Sequence, residues 1–513
     1  MTELRPLPTA PLPEDSQGDA PHVRVAVIGA GFAGLGMAIR LKQQGIEDFV
    51  VLERAGEVGG TWRDNTYPGS SCDVPSALYS FSFAPNPGWS SSFSPQPEIQ
   101  RYLRACTRRF GLRRHLRCHH EVLDARWDGD TMRWVIETTQ RQLTATVLVS
   151  GTGQLSEPAV PELPGLDRFE GAAFHSARWE HSRDLAGARV AVVGTGASAV
   201  QFVPEIAEQA AALHVFARSA PWVLPRSNRT RSAAERNAYR AIPGLQRALR
   251  AAVYWGRECA MIGFASPRVM RMAGLAARLH LRRQVPEPGL RAALTPDYTM
   301  GCKRVLRSSD FYPALRRPNV DLVSGPIREV RPRSVIGVDG AEREVDTIIF
   351  GTGFAVTDPP VARRLHGRDG RLLADRWSPR AQAYLGTTVA GFPNLFLLLG
   401  PNSALGHNSV VLAIESQVEY VLDALRTMDA RGIRSVEVRP GAQSAFVAEV
   451  AARTRHTVWA TGGCASWYLD EAGHNTTLWP GFTSHFRRLT RRFDPDSYLL
   501  RAPADAELVG AGS

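Results

Sequence analysis

The chain has 513 residues, 44% of them hydrophobic and 22% charged, which is enough for two or three domains with their own cores and too apolar for overall disorder. No stretch approaches the roughly 20 apolar residues of a membrane span. The Pro-rich opening segment, residues 1–21, lacks the basic and apolar regions of a signal peptide, so a flexible leader on a cytoplasmic protein is expected.

The net charge of +11 is local: from Arg218 to Arg331 there are 22 Lys plus Arg against 7 Asp plus Glu. With no aromatic-interleaved single-strand platform and no helix-turn-helix pattern, this reads as a solvated Arg-rich surface and not as a nucleic-acid footprint. A phosphate-rich cofactor or an anionic membrane surface is the second reading. The six cysteines, Cys72, Cys106, Cys118, Cys259, Cys302 and Cys464, form no C-x-x-C pair. They are expected to be ordinary reduced thiols, with no disulfide scaffold and no metal site.

In chain order, the first element is a β-branched run, Val23 to Ile28, followed by Gly29, Gly31 and Gly34 in G-x-G-x-x-G spacing and a helical pattern ending at Gly45. This predicts strand, tight turn and helix. The first glycine makes the turn, the second admits a pyrophosphate, and the third lets helix and strand pack closely. The helix N-terminus then faces the phosphates. FVVLERA follows and places Glu53 at the end of a second strand, where a carboxylate grips a ribose hydroxyl and repels a 2'-phosphate. The site is therefore read as one for FAD or NAD. The irregular, aromatic-rich stretch from Gly59 to Phe83 favours FAD, as a wall for a ring-shaped cofactor.

VLVSGTGQLSEPAVPELPGL (Val147–Leu166) then reads as a crossing to a second domain. There the pattern repeats: strand Val190–Val193, Gly194, Gly196 and Ala199 in G-x-G-x-x-A spacing, a helix, and the strand LHVFA. In the place of Glu53 stand Arg218 and Ser219. An Arg there suits the 2'-phosphate of NADP, so NADPH is the expected reductant.

From about 227 to 296 the βαβ pattern gives way to Ala-, Leu- and Arg-rich helices. They are read as a core-packing insertion, with lipid contact as the less favoured alternative. DTIIFGTGF (Asp346–Phe354) reads as the return crossing, and NLFLLLGPNSALGHNSVVLAIESQ as a late strand (Leu395–Leu399) and a helix from about Asn408. Trp467, Tyr468 and Trp479, in a Gly-rich C-terminal stretch, are candidates for a substrate wall or lid.

The expected fold is α/β, with two Rossmann-like dinucleotide-binding domains: residues 22–155 and 384–513 for FAD, and 156–383 with its helical insertion for NADP.

Phe169, Gly171, His175 and Trp179, in FEGAAFHSARW just before the second glycine turn, form an F-x-G-x-x-x-H-x-x-x-W pattern. Gly60, Trp62, Tyr67, Pro68, Gly69 and Asp73 form a second, G-x-W-x-x-x-x-Y-P-G-x-x-x-D. On both, the chain resembles the type I Baeyer-Villiger monooxygenases over about residues 22 to 490. The resemblance implies an FAD- and NADPH-dependent enzyme that inserts one oxygen atom of O2 beside a ketone carbonyl through a C4a-peroxyflavin. It implies Arg304 as the catalytic arginine and Asp73 as its partner.

The FAD contacts so implied add Thr61, Trp62, Asp64, Tyr79, Val122 and Gln154 to Gly29, Gly31, Gly34, Glu53 and Asp73. The NADP set is Gly194, Thr195, Gly196, Ser198, Ala199, Gln201, Arg218, Ser219 and Lys303. Arg63 and Asp64 depart from the aromatic pair common in the family. His175 and Trp179 are expected to pack between domains and not to transfer protons. Two other functions stay open: a flavin-containing monooxygenase acting on sulfur or nitrogen, and a non-oxygenating FAD/NADPH oxidase or redox-sensing flavoprotein.

Overall fold

The computed structural model describes residues 20–502. All but the last two positions of the expected leader lie outside the described residues.

Two sheets, one mixed and one parallel, carry the two glycine turns. The first has eight strands. Its central strand His22–Ile28 lies between Phe49–Glu53 and Gln142–Ser150, parallel to both. Valines and leucines fill these strands because both faces of the sheet are covered. The antiparallel strands Val122–Asp128 and Arg133–Thr138 extend the sheet beyond Gln142–Ser150. The second sheet has five parallel strands, in the order Val320–Ser324, Ala212–Ala217, Arg189–Val193, Thr347–Phe350 and Ala172–His175. In each sheet the glycine turn follows a strand flanked on both sides, which is the switch point where the strand ends open a crevice.

Two linkers join the sheets and pair with each other. Ala159 N donates to Gly353 O at 2.9 Å and Ala355 N to Glu157 O at 3.0 Å. The chain has returned to the first sheet by Leu365–His366, which pairs with Val122–Asp128. That is earlier than the boundary placed after residue 383. A two-residue edge strand has too little periodicity to be read from sequence. The late strand is Leu395–Leu397, parallel to Gln142–Ser150, and the helix after it spans Val410–Ala430, capped by the Ser409 side chain.

The insertion consists of helices Ala233–Ala241, Leu245–Ala265, Pro267–Gln284 and Pro288–Ala293. Its two ends are clipped together, because Val223–Leu224 pairs in parallel with Leu306–Arg307. That clip brings Lys303 and Arg304 back to the strand end occupied by Arg218 and Ser219.

The cysteine expectation needs correction. Cys302 and Cys464 form a disulfide across 162 residues, while Cys72, Cys106, Cys118 and Cys259 remain free. No local spacing signals such a pair, because only the tertiary fold brings the two segments together. The bond fastens the turn before Lys303 and Arg304 to the C-terminal segment that carries Trp467 and Tyr468.

Candidate functional site

A single cavity of about 1310 Å³ runs across both glycine turns. One drug-sized ligand needs roughly 300–1,000 Å³, so there is room for more than one. Of the sequence-derived FAD set, every residue except Gly34 lines this cavity. Of the NADP set, every residue except Ala199 does, and Arg304 joins them.

Gly34 and Ala199 lie beneath the turns for a packing reason. A Cβ on Gly34 would sit 1.8 Å from Gly29 O, so only glycine lets this helix reach its strand. Ala199 is fully buried, and a Cβ added at Gly351 would sit 3.2 Å from its methyl. The first turn itself needs φ = +93° at Gly29, and the second +107° at Gly194.

Glu53 is 4% exposed. Its carboxylate accepts from Ala30 N at 2.8 Å and Ala55 N at 2.9 Å. Arg63, one of the two departures from the family pattern, donates to Glu53 at 2.8 Å and to Asp64 at 2.7 Å. The unusual pair is thus a local ion network that compensates the buried carboxylate. Nearby, Trp62 Nε1 donates to Tyr79 Oη at 3.1 Å, and Gln154 Nε2 to Leu399 O at 2.9 Å. Both bonds hold the walls of the first cradle.

At the second cradle Lys303 Nζ donates to Ser219 Oγ at 2.8 Å. Burial and the neighbouring charge of Arg218 lower the Lys303 ammonium below its ordinary value. Two cations lining one stretch of wall, Arg218 and Lys303, have the chemistry to receive a dianion. Gln201, expected in the NADP set, lines the cavity and also bonds to the backbone of Ser71, accepting from its N–H at 2.9 Å and donating to its C=O at 3.2 Å. It ties the flavin-side loop to the second domain.

Arg304 and Asp73 meet on the same cavity wall. Arg304 Nε and Nη2 donate to Asp73 Oδ2 and Oδ1 at 2.8 and 2.6 Å, a bidentate pair. Burial alone would raise the Asp73 carboxyl, but the Arg304 guanidinium holds it below its ordinary value. Asp73 in turn raises Arg304 further above the physiological range.

Chains of known function resemble this one closely. Residues 26–234 match the family model described as pyridine nucleotide-disulphide oxidoreductase. A Baeyer-Villiger monooxygenase of Streptomyces coelicolor is 52% identical over 493 residues, covering 96% of this chain and 95% of that one. This chain belongs to the Baeyer-Villiger monooxygenases. A second member, from Pseudomonas aeruginosa, is 48% identical over 94% of this chain and 92% of its own. Among solved structures, OTEMO in complex with FAD and NADP superposes with a TM-score of 0.83 at 27% identity, covering 94% of this chain and all of that one.

None of the Baeyer-Villiger fingerprint residues Phe169, Gly171, His175 and Trp179 lines the cavity. His175 is 3% exposed. Its Nδ1 accepts from Ala177 N, and its ring meets Phe354 of the return linker edge-on at 5.6 Å. Burial pushes its pKa down to about 4. Trp179 packs on Phe202 at 5.4 Å, and Phe202 on Tyr67 of the flavin-side loop at 5.9 Å. Gly69, with φ = +75°, lets that loop approach the second domain, because a Cβ there would sit 2.7 Å from Gln201 O.

Two residues near the Arg304–Asp73 pair escaped sequence reasoning as members of the site. Arg257, on the insertion helix Leu245–Ala265, donates to the carbonyls of Asp73 and His407 at 3.3 and 3.1 Å. Arg226 donates to Cys72 O at 3.2 Å. Tyr468, a candidate for a substrate wall or lid, is 2% exposed and lies against Arg304 in the cavity wall, with its phenol pKa raised by burial. Trp467 also lines the cavity, whereas Trp479 is a fully buried core residue. Nothing in local spacing distinguishes Arg257 from the other arginines of its helix; only its inward position does.

Proposed function

We propose that this enzyme uses FAD and NADPH to insert one oxygen atom of O2 beside a ketone carbonyl. Ketone, O2, NADPH and a proton become an ester or lactone, NADP⁺ and water. One arrangement carries this reading: the Arg304–Asp73 pair stands on the wall of the cavity into which both glycine turns open.

The cradles fit the two nucleotides. Gly31 and Gly196 leave open backbone where a side chain would crowd a pyrophosphate, while a Cβ on Gly29 or Gly194 would sit 2.8 or 2.7 Å from the backbone oxygen of Gly151 or Gly351. Glu53 suits a ribose diol, and Arg218 with Lys303 suits a 2'-phosphate. FAD held at the first cradle by Glu53 and the Gly29–Gly34 turn would supply hydride acceptance from NADPH and the activation of O2.

The chain's own groups then act on charge. Arg304 stays protonated at any working pH, so its role is to hold and orient negative charge and not to move a proton. As that charge shifts onto the ketone oxygen, the Arg304 N–H groups stabilise it in the manner of an oxyanion hole. Asp73 fixes the guanidinium plane and compensates its charge in a site partly removed from water.

Incubating the holoenzyme and NADPH with cyclic, linear and aryl ketones and with thioethers, followed by mass spectrometry, tests the proposal. Esters or lactones carrying one added oxygen are expected. Sulfoxides alone, or NADPH consumption that yields only hydrogen peroxide, would point to one of the other two flavoenzyme functions.

A further inference from the structure

We propose that the outer face of the helical insertion docks on an anionic phospholipid surface. The helix Leu245–Ala265 presents Ala248, Ala252, Trp255, Cys259 and Ile262 to solvent, spaced alternately by four and three residues along one stripe. Its neighbour Pro267–Gln284 presents Val269, Met272, Leu275 and Leu279. Trp255 is 59% exposed, Ile262 55%, Met272 67% and Leu275 52%.

These residues are not the core-facing side of the helices. That side is a separate set, Tyr254, Met261, Met270 and Leu281, all buried. Each helix therefore carries two apolar faces, one packed and one open. A solvated helix needs only the first.

Charge decides what covers the open face. Between Arg236 and Pro286 there are ten arginines and one acidic residue, Glu258. Glu258 is 3% exposed and bonded inward to Asn408 and Ser484. Arg240, Arg247, Arg268, Arg271, Arg278, Arg282 and Arg283 are all exposed. Among the described residues, the ion pairs on this side belong to Arg229, Arg231 and Arg250, not to these seven.

A second copy docking through the same face would set like charge against like. An anionic bilayer supplies opposite charge to the arginines and an apolar boundary layer to Trp255 and its neighbours, with the indole at headgroup depth. No described helix is long and apolar enough to cross a membrane, so the contact is peripheral. The inward side of the same helix carries Arg257, whose bonds to Asp73 O and His407 O place the docking face directly behind the catalytic wall.

Flotation of the full-length holoenzyme with vesicles tests this. With vesicles of equal parts phosphatidylglycerol and phosphatidylcholine the protein should float, at least roughly tenfold more than with phosphatidylcholine alone, and high salt should reduce the difference. The double variant Trp255→Glu/Met272→Glu should stay at the bottom while keeping the wild-type rate of NADPH consumption and the wild-type circular dichroism. Arg271→Glu/Arg282→Glu should weaken flotation without changing either. Wild-type protein that fails to float, or flotation that both variants retain, would overturn the proposal. So would light scattering showing a dimer that Trp255→Glu/Met272→Glu dissociates, since the face would then serve self-association.

Discussion

Arg218 and Lys303 come from positions 85 residues apart and both line the cavity, Lys303 bonded to the hydroxyl of Ser219, the residue after Arg218. If they share the 2'-phosphate of NADPH, Arg218→Ala removes charge-assisted hydrogen bonds worth about 1.5–3 kcal/mol. The KM for NADPH should rise about 10- to 100-fold by that conversion, while the KM for NADH stays near its wild-type value. Steady-state kinetics with both nucleotides checks this, and an equal rise for both would remove Arg218 from phosphate recognition.

His175 permits a test by pH. Its pKa falls from the ordinary 6.5 to about 4 in the folded protein, so the unfolded chain binds the extra proton first. Its contribution to stability is present above pH 6.5 and is lost as the pH falls from about 6.5 towards 4. His175→Asn should flatten the fall in denaturation midpoint across that window. An unchanged profile would mean that other groups control it. His175 is buried and does not line the cavity.

At the scale of elements, each glycine turn is a local event, and that is why both were legible. Strand, turn, helix and the charged residue at the next strand end all lie within about thirty residues, and their roles follow from backbone sterics and helix-end electrostatics. Gly34→Ala should therefore cost at least about 1–3 kcal/mol through overpacking against Gly29 O, and it should lower flavin retention together with the melting temperature. A variant that keeps both would show that the first helix can shift without disturbing the cradle.

What could not be read was non-local. Asp73 and Arg304 were named through family patterns, because 231 residues separate them. Arg257 and Arg226 were lost in an arginine-rich stretch whose composition says nothing about which side chains turn inward. The insertion's helices were legible from their periodicity, yet their second, open apolar stripe appears only once the packed side is known.

On the scale of the whole molecule, the fold closes around one cavity because three separate pieces are fastened there: the flavin-side loop by Gln201 and Tyr67, the insertion by Arg257, and the C-terminal segment by the Cys302–Cys464 bond. That bond links positions 162 apart in sequence, so the chain-entropy model gives it about 5 kcal/mol of stability. Cys464→Ser should lower the denaturation midpoint, and adding reductant should bring wild type down to the variant. Equal midpoints in oxidising buffer would mean that the bond does not contribute.

The central claim is that Arg304, held by Asp73, serves oxygen transfer to the ketone and not flavin reduction. Comparing anaerobic flavin reduction by NADPH with ester formation in air, for wild type and Arg304→Ala, tests it most directly. Reduction should stay within about threefold of wild type, while ester formation should fall by roughly 10²–10³, the usual cost of losing one such donor. Near-normal ester yield from Arg304→Ala, or a parallel collapse of both rates, would contradict the assignment.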